Sequence, residues 1–420
     1  MSEFDKIIGY EDIKLELMRF CDVLRNPEKY AKLGVSMPSG LFLHGDPGLG
    51  KTLMAKCFIT ESGCKSFTIR KEKPKGAFID KIRETFESAK AAAPSIVFLD
   101  DVDKFANEDE NHQNAEEYVT VQACIDDCKE QGVFVLATAN DITNLPESLL
   151  RSGRFDKIIE VVKSAGKEAH KIIESFLRQK KMVGDIDYET ASMLLEGHSC
   201  AEIETIVNEA GIIAGFEGRE KIGENDIIRA LLRMVFKVPE CVSGETEETP
   251  EKVAVHEAGH TVVAEILAPK SVRLIAVNSG KGAIGGITKI VDPIGYEKSI
   301  VMRENKIMYG LGGRAATEVV YGEADMGAGS DLSGAFAGVD YIVGDMCAYG
   351  FENCDSWVYP SEDRGQSKSK AINSELNRLY TETKRIIFEN RQFLDALTSA
   401  LVERKTLTYK DIQKIKERTA

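Results

Sequence analysis

Apolar and polar residues follow three different rhythms along the chain. Residues 11–25 carry apolar positions at helical spacing and stop at Asn26-Pro27, which predicts an amphipathic helix with a clean end. Short unbroken apolar runs follow at Gly40-Leu41-Phe42-Leu43-His44, Ser95-Ile96-Val97-Phe98-Leu99 and Val133-Phe134-Val135-Leu136-Ala137. Runs this short, bounded by turn residues, predict strands buried on both faces, as in a parallel sheet. From Lys163 to Met234 amphipathic runs alternate with turns and predict helices at 167–180, 188–196, 200–216 and 224–236. Pro239, Gly244 and several glutamates between Val238 and Thr249 then read as an acidic linker. Thr249 to Leu267 is a helical stretch, with Thr249 suited to the cap, Pro250 to the first turn, and Val255, Val262, Val263 and Ile266 marking a buried side. Ala283 to Ile290 predicts an edge strand, and 366–418 predicts charged amphipathic helices.

Two of these elements carry chemistry. His256 and His260 are four apart on the predicted helix, so both imidazoles leave one face a turn apart and can share one zinc ion. Glu257 points to a neighbouring face, within reach of the proton on a zinc-held water. Only six histidines occur in 420 residues, which makes an accidental pairing at this spacing improbable. Catalytic zinc takes three protein ligands, and by spacing alone Glu318, Asp325, Asp331 and Asp340 all qualify as the third. The other element is Gly45-Asp46-Pro47-Gly48-Leu49-Gly50-Lys51-Thr52, which follows a predicted strand and opens a predicted helix. That setting lets backbone N–H groups and a helix N-terminus close on phosphate oxygens, with Lys51 on the β- and γ-phosphates of ATP and Thr52 on Mg²⁺. The second apolar run ends in Asp100-Asp101, where the Mg²⁺-side acid of a nucleotide hydrolase belongs; Asp100 fits that place and Asp101 the polarising of the attacking water. Asn140, at the end of the third run, can orient that water or serve as an ordinary turn residue. Arg151 and Arg154 are equally suited to surface ion pairs and to reaching a neighbour's γ-phosphate.

Composition narrows the classes. The net charge of −14 argues against general binding to nucleic acid or anionic membrane. No run of 18 apolar residues occurs, so no spanning helix is expected, and Met1 to Phe20 has no signal-peptide pattern. The nine cysteines are scattered without a Cys-x-x-Cys; Cys124 and Cys128 share a helical spacing but no further ligands, and free thiols in a reducing cytosol are expected.

The phosphate loop, Asp100-Asp101, Asn140 and Arg151-x-x-Arg154-Phe155-Asp156 stand in the order found in AAA+ ATPases, and His256-Glu257-x-x-His260 follows them. The chain therefore resembles the FtsH-type AAA+ zinc metalloproteases from about Phe4 to its end. Leu33-Gly34, Ala92-Ala93-Pro94-Ser95 and Gly312-Gly313-Arg314 belong to the same likeness. The resemblance implies an α/β AAA+ core over 1–160, a small helical lid over 161–237, a linker at 238–250, and a mainly α-helical zinc metallopeptidase domain over 251–420. It implies Asp331 as third ligand, because Gly327-Ala328-Gly329-Ser330-Asp331 matches the family's Gly-Ala turn; Asp331 as a plain helix cap is the competing reading. It also implies Zn²⁺, ATP and Mg²⁺ as cofactors, Arg151 and Arg154 as fingers acting between subunits of a homohexamer, and protein substrates cut with the help of ATP hydrolysis. Gly197 to Glu202 falls where the family has its nucleotide-sensing turn, and His198 within it is read as a loop histidine.

Several departures from the family colour these expectations. The chain begins almost at the ATPase module, where the family usually has membrane helices, so a cytoplasmic enzyme without a membrane span is expected. Asp101 stands where Glu is usual, which draws the carboxylate back by roughly 1.5 Å and implies slow ATP turnover. Segment 70–78, which includes Arg70-Lys71-Glu72-Lys73-Pro74-Lys75-Gly76, is shorter than the family's aromatic pore loop, with Phe78 as a substitute aromatic or a core residue. That segment favours a second reading, a gating or remodelling ATPase whose peptidase cuts unfolded or acidic chains. Thr317 stands before Glu318 where the family often has a second acid, and Trp357 has no assigned role.

Overall fold

The computed structural model describes residues 2–71, 75–106, 115–180, 186–238, 250–277, 285–291, 299–323, 329–350 and 362–419. The expectations placed on Glu72-Lys73-Pro74, the cap at Thr249, Ala283-Ile284, Asp325, Gly327-Ala328 and Trp357 lie outside them. The chain forms two compact units, Met1–Lys181 with Gly197–Thr205, and Met182–Glu196 with Ile206–Ala420.

In the first unit, helices α1 (Glu11–Arg25) and α2 (Pro27–Ala31) precede strand β1 (Gly40–His44). Then come α3 (Lys51–Ser62), β2 (Lys65–Ile69), α4 (Lys75–Ala91), β3 (Ser95–Leu99), α5 (Ala115–Asp127), β4 (Val133–Ala139), β5 (Lys157–Glu160) and α6 (Gly166–Arg178). The five strands form one parallel sheet in the order β2-β3-β4-β1-β5. β1, β3 and β4 are buried almost end to end because helices cover both faces, which is why their sequences show no alternation. Their shared direction brings the ends of β3, β4 and β1 side by side, so Asp100, Asn140 and the loop from Gly45 gather at one edge of the sheet. Phe78 is fully buried and packs edge-on against Phe105 with ring centres 5.2 Å apart. It is a core residue and offers no aromatic surface to a passing chain.

The second unit holds α7 (Tyr188–Leu195), most of α8 (Cys200–Phe216), α9 (Glu224–Met234) and α10 (Pro250–Leu267). Strands β6 (Val272–Val277) and β7 (Gly286–Ile290) follow, then α11 (Ile300–Tyr321), α12 (Gly329–Asp340), α13 (Glu362–Glu389), α14 (Arg391–Arg404), β8 (Thr406–Thr408) and α15 (Tyr409–Thr419). The strands make an antiparallel sheet in the order β7-β6-β8, so β7 is an edge among the described residues. The helices at 188–196, 200–216 and 224–236 expected from the periodicity end within two residues of the observed ones, whereas β8 was hidden in a charged stretch read as helix.

α10 is the buried axis of this unit. Val253, Ala254, Val255, Ala258, Val262, Val263 and Ala264 are all enclosed, so the helix is covered nearly all round rather than along one stripe. Ile266, expected on the buried side, is 38% exposed, while its neighbours Ala264 and Glu265 in the same last turn are fully buried. In the last turn of α10, the buried Glu265 carboxylate accepts N–H bonds from Lys270 (3.0 Å) and Val272 (3.1 Å). It also accepts from Gln413 (3.0 Å) and Lys416 (3.2 Å), tying the start of β6 and helix α15 to α10.

α10 and α11 cross with their backbones touching. A Cβ on Gly259 would stand 2.4 Å from the Gly312 carbonyl oxygen, and one on Gly312 would stand 2.7 Å from that of Gly259. No side chain fits at either position. Gly312→Val should therefore lower the unfolding midpoint in urea, at a cost of about 1–3 kcal/mol or more, the range for overpacking a dense core.

Candidate functional site

The two histidines of α10 point at the crossing with α11. His260 Nδ1 lies 2.7 Å from the carbonyl oxygen of Tyr309 in α11. A carbonyl only accepts, so Nδ1 carries the proton and donates it, and Nε2 faces the other way as the free lone pair of the neutral ring. His256 packs over Gly313, where a Cβ would come within 2.4 Å of its Nε2. Asp331, in the first turn of α12, brings Oδ2 to 3.2 Å from His256 Nε2 and 3.4 Å from His260 Nε2, and the two imidazole nitrogens are 3.0 Å apart. These are the edges expected of one face of a tetrahedron, about 3.3 Å for ligands held about 2.0–2.1 Å from a common zinc. Among the described residues this is the group of three side chains close enough to hold a metal ion.

The other described acids suited by spacing, Glu318 and Asp340, are engaged elsewhere. Glu318 accepts hydrogen bonds from Tyr380 (2.5 Å) and Lys384 (3.0 Å), and Asp340 pairs with Lys368 at 2.7 Å. Asp331 lies inside its helix, and its carboxylate turns to the histidines. Thr317 is buried and bonds to carbonyls of its own helix. Glu257 is buried beside the histidines, and its Oε2 accepts a 2.6 Å bond from the Thr288 hydroxyl of β7. The Tyr309 carbonyl, Gly313 and Thr288 were not singled out by sequence reasoning, since a backbone oxygen, a missing side chain and a lone strand threonine carry no motif.

At the sheet edge of the first unit, Asp100 is buried, and its Oδ1 accepts from Thr52 Oγ1 (3.2 Å) and Thr138 Oγ1 (2.9 Å). Thr138, also missed, accepts in turn from the Asp101 backbone N–H at 3.1 Å. The loop turns tightly through Gly48 and Gly50, both at positive φ, into the start of α3. Lys51 Nζ donates to the loop carbonyls of Gly45 (2.6 Å) and Asp46 (2.7 Å). Burial lowers the Lys51 pKa, against an opposing pull from Asp101, Asp103 and Asp46. Asp101 is paired to Lys104 at 2.6 Å. Asn140 donates its backbone N–H to Asp103. Gly48 to Met54, Asp101 and Asn140 line a cavity of about 580 Å³ whose far wall includes Ile8, Tyr10, Ile172, Phe176 and Cys200. A mouth of loop amides and cation with an apolar wall behind it suits a nucleotide triphosphate and its base. Arg154 is held by Asp126 (Nη2 to Oδ2, 2.7 Å) and by the Ser148 carbonyl, while Arg151 is exposed. His198 lies 3.8 Å from Glu202 on its loop.

The first unit is thus built as a nucleotide-binding ATPase module and the second as a zinc peptidase. Residues 41–163 match the family model for the ATPase family associated with various cellular activities (AAA), and residues 244–415 match that for peptidase family M41. The chain thus carries an AAA domain followed by a peptidase family M41 domain, and FtsH-type relatives match it over nearly its whole length. It is 28% identical over 99% of its length to the ATP-dependent zinc metalloprotease FtsH 2 of Thermoanaerobacter sp., covering 82% of that protein. It is 28% identical over 97% of its length to FtsH 3 of Conexibacter woesei, covering 58% of it. The FtsH of Parabacteroides distasonis is 31% identical over 98% of the chain, which covers 64% of that protein. No helix among the described residues is long and apolar enough to cross a membrane, and Cys21, Cys57, Cys64, Cys124, Cys128 and Cys200 are free thiols.

Burial by itself would lower the His260 pKa, but the hydrogen bond to Asp331 and the charges of Glu257 and Asp331 raise it from 6.5 to about 9. In the metal-free fold, protonated His260 thus adds stability that is complete below pH 6.5 and is lost as pH rises through about 9. Zinc binding runs the opposite way, because it must displace that proton. Zinc affinity measured by chelator competition should rise about tenfold per pH unit between these limits and level off above them.

Proposed function

We propose that the chain is an ATP-dependent zinc endopeptidase that degrades proteins. The observation that carries the reading is the triangle of His256, His260 and Asp331, with Glu257 beside it in the same helix. His256, His260 and Asp331 would hold the ion. Bound zinc supplies Lewis acidity toward the scissile carbonyl and acidifies a coordinated water to a pKa of about 7. Glu257 takes the proton of the attacking water and delivers it to the leaving amine. β7, paired among the described residues with β6 alone, would offer its other edge to an extended substrate beside Glu257.

At the ATPase site, Gly45 to Gly50 would wrap the phosphates, Lys51 would leave the loop carbonyls for the β- and γ-phosphates, and Thr52 and Asp100 would hold Mg²⁺. Bound ATP would supply the phosphoryl group whose transfer to water releases free energy, and Mg²⁺ would neutralise the phosphate charge. Asp101 and Asn140 orient that water. In the homohexamer that the AAA resemblance implies, the exposed Arg151 would reach a neighbouring subunit, while Arg154 is anchored on Asp126 of its own chain. The division at 160, 237 and 250 between ATPase core, lid, linker and peptidase follows from the same reading. The free thiols fit a reducing compartment such as the cytoplasm.

Glu257→Gln should lower cleavage of an unstructured protein such as casein by roughly 10²- to 10⁴-fold while zinc content, measured by mass spectrometry, stays at one per chain. An unchanged rate would refute the peptidase assignment. Lys51→Met should abolish ATP-stimulated casein degradation and nucleotide binding. If casein is cut equally well with ATP, with a slowly hydrolysed analogue and with no nucleotide, the coupling to hydrolysis is wrong.

A further inference from the structure

The strand next to the metal site does more than border it. β7 has a two-residue side-chain period, so Gly286 and Thr288 face the same way while Ile287 and Lys289 face the other. Ile287 is buried on that other side, and the buried Lys289 donates to the Leu194 carbonyl at 2.5 Å, which fixes which face is which. The face bearing Gly286 and Thr288 wraps around one side chain, Glu257. Thr288 Oγ1 donates to Glu257 Oε2 at 2.6 Å and lies 3.2 Å from the Glu257 carbonyl oxygen. Any Cβ on Gly286 would stand 2.3 Å from Glu257 Cγ and 2.5 Å from Oε1. One residue grips the carboxylate, and the other, by lacking a side chain, leaves the space the carboxylate needs.

We propose that Thr288 is a positioning residue for the general base. Its hydroxyl holds Glu257 Oε2 and leaves Oε1 as the oxygen that takes the proton of the attacking water. The inference rests on the peptidase reading above. It adds that base and substrate are coupled: the strand a substrate backbone would pair with is the strand that sets the rotamer of the base. Pairing along β7 would hold Thr288 still, and so Glu257.

The test uses the full chain loaded with zinc and an unstructured fluorogenic peptide. Thr288→Val keeps the β-branched shape and removes the donor. It should lower kcat roughly tenfold to a hundredfold, the worth of one hydrogen bond to a charged group, with KM changed less than threefold. Thr288→Ser, which keeps the hydroxyl, should recover most of that rate. Gly286→Ala should lower kcat by displacing Glu257. Zinc affinity by chelator competition and the unfolding midpoint should be the same in wild type and Thr288→Val. The affinity for a small hydroxamate, whose zinc-binding head also needs the Glu257 carboxylate, should fall with Thr288→Val and return with Thr288→Ser. Full activity in Thr288→Val, or an equal loss in Thr288→Ser, would overturn the positioning role. Full activity in Glu257→Gln would instead overturn the peptidase reading itself, so the two failures are told apart.

Discussion

Everything at the peptidase site depends on one close approach, the crossing of α10 and α11 at Gly259 and Gly312. Backbone contact at that point leaves no room for even a methyl group on either helix. It also sets the depth at which α11 lies against α10, and three consequences follow along one helical turn. The Tyr309 carbonyl reaches His260 and fixes its tautomer. Gly313 comes under His256 and leaves its ring room to turn toward the same point. The end of α11 then leads to α12, whose first turn supplies Asp331. A wider crossing would lengthen the bond to Tyr309 and free the His260 ring to rotate. The ligands are thus preorganised by main-chain packing, which costs less conformational entropy than holding long side chains in place.

The ATPase module reaches a comparable order by another route. Here the organising constraint is strand direction. Because β3, β4 and β1 are neighbours and parallel, residues separated by up to a hundred positions end at one edge without any long side chain having to span the gap. The phosphate loop then needs only short-range geometry, a glycine turn and the start of α3.

Legibility from sequence followed the same physics. The phosphate loop and the His256–His260 pair are local patterns whose spacing already limits their geometry, whereas Asp100 and Asn140 were picked out as strand-end residues, with Asn140 left open to an ordinary turn role. Asp331 was not determined by spacing, since Glu318, Asp325 and Asp340 served as well, and only resemblance chose among them. In the structure it is distinguished by a contact across 75 residues, while Glu318 and Asp340 are neutralised by Tyr380, Lys384 and Lys368. Tertiary packing also decided the errors. Ile266 fits the apolar pattern of α10 but faces outward while Ala264 and Glu265 beside it are buried, and β8 is three residues long within charged sequence, recognisable only from its pairing with β6. Thr138, Thr288 and the Tyr309 carbonyl act by where they stand, and nothing in their own neighbourhood of sequence announces it.

Set side by side, the carboxylates of the two sites show a common solution and one exception. Asp100 is held by the hydroxyls of Thr52 and Thr138, and Glu257 by that of Thr288. A hydroxyl fixes one oxygen and brings no opposing charge, so the carboxylate is oriented without being paired to a cation of the protein. Asp101 is treated differently: Lys104 pairs with it directly, with Arg70 3.9 Å away. A carboxylate engaged by ammonium must give up that partner before it can polarise water, and Asp101 is a methylene shorter than the glutamate usual at this place. Both features act in the same direction. Both bear on one step, the polarising of the attacking water that is proposed for Asp101.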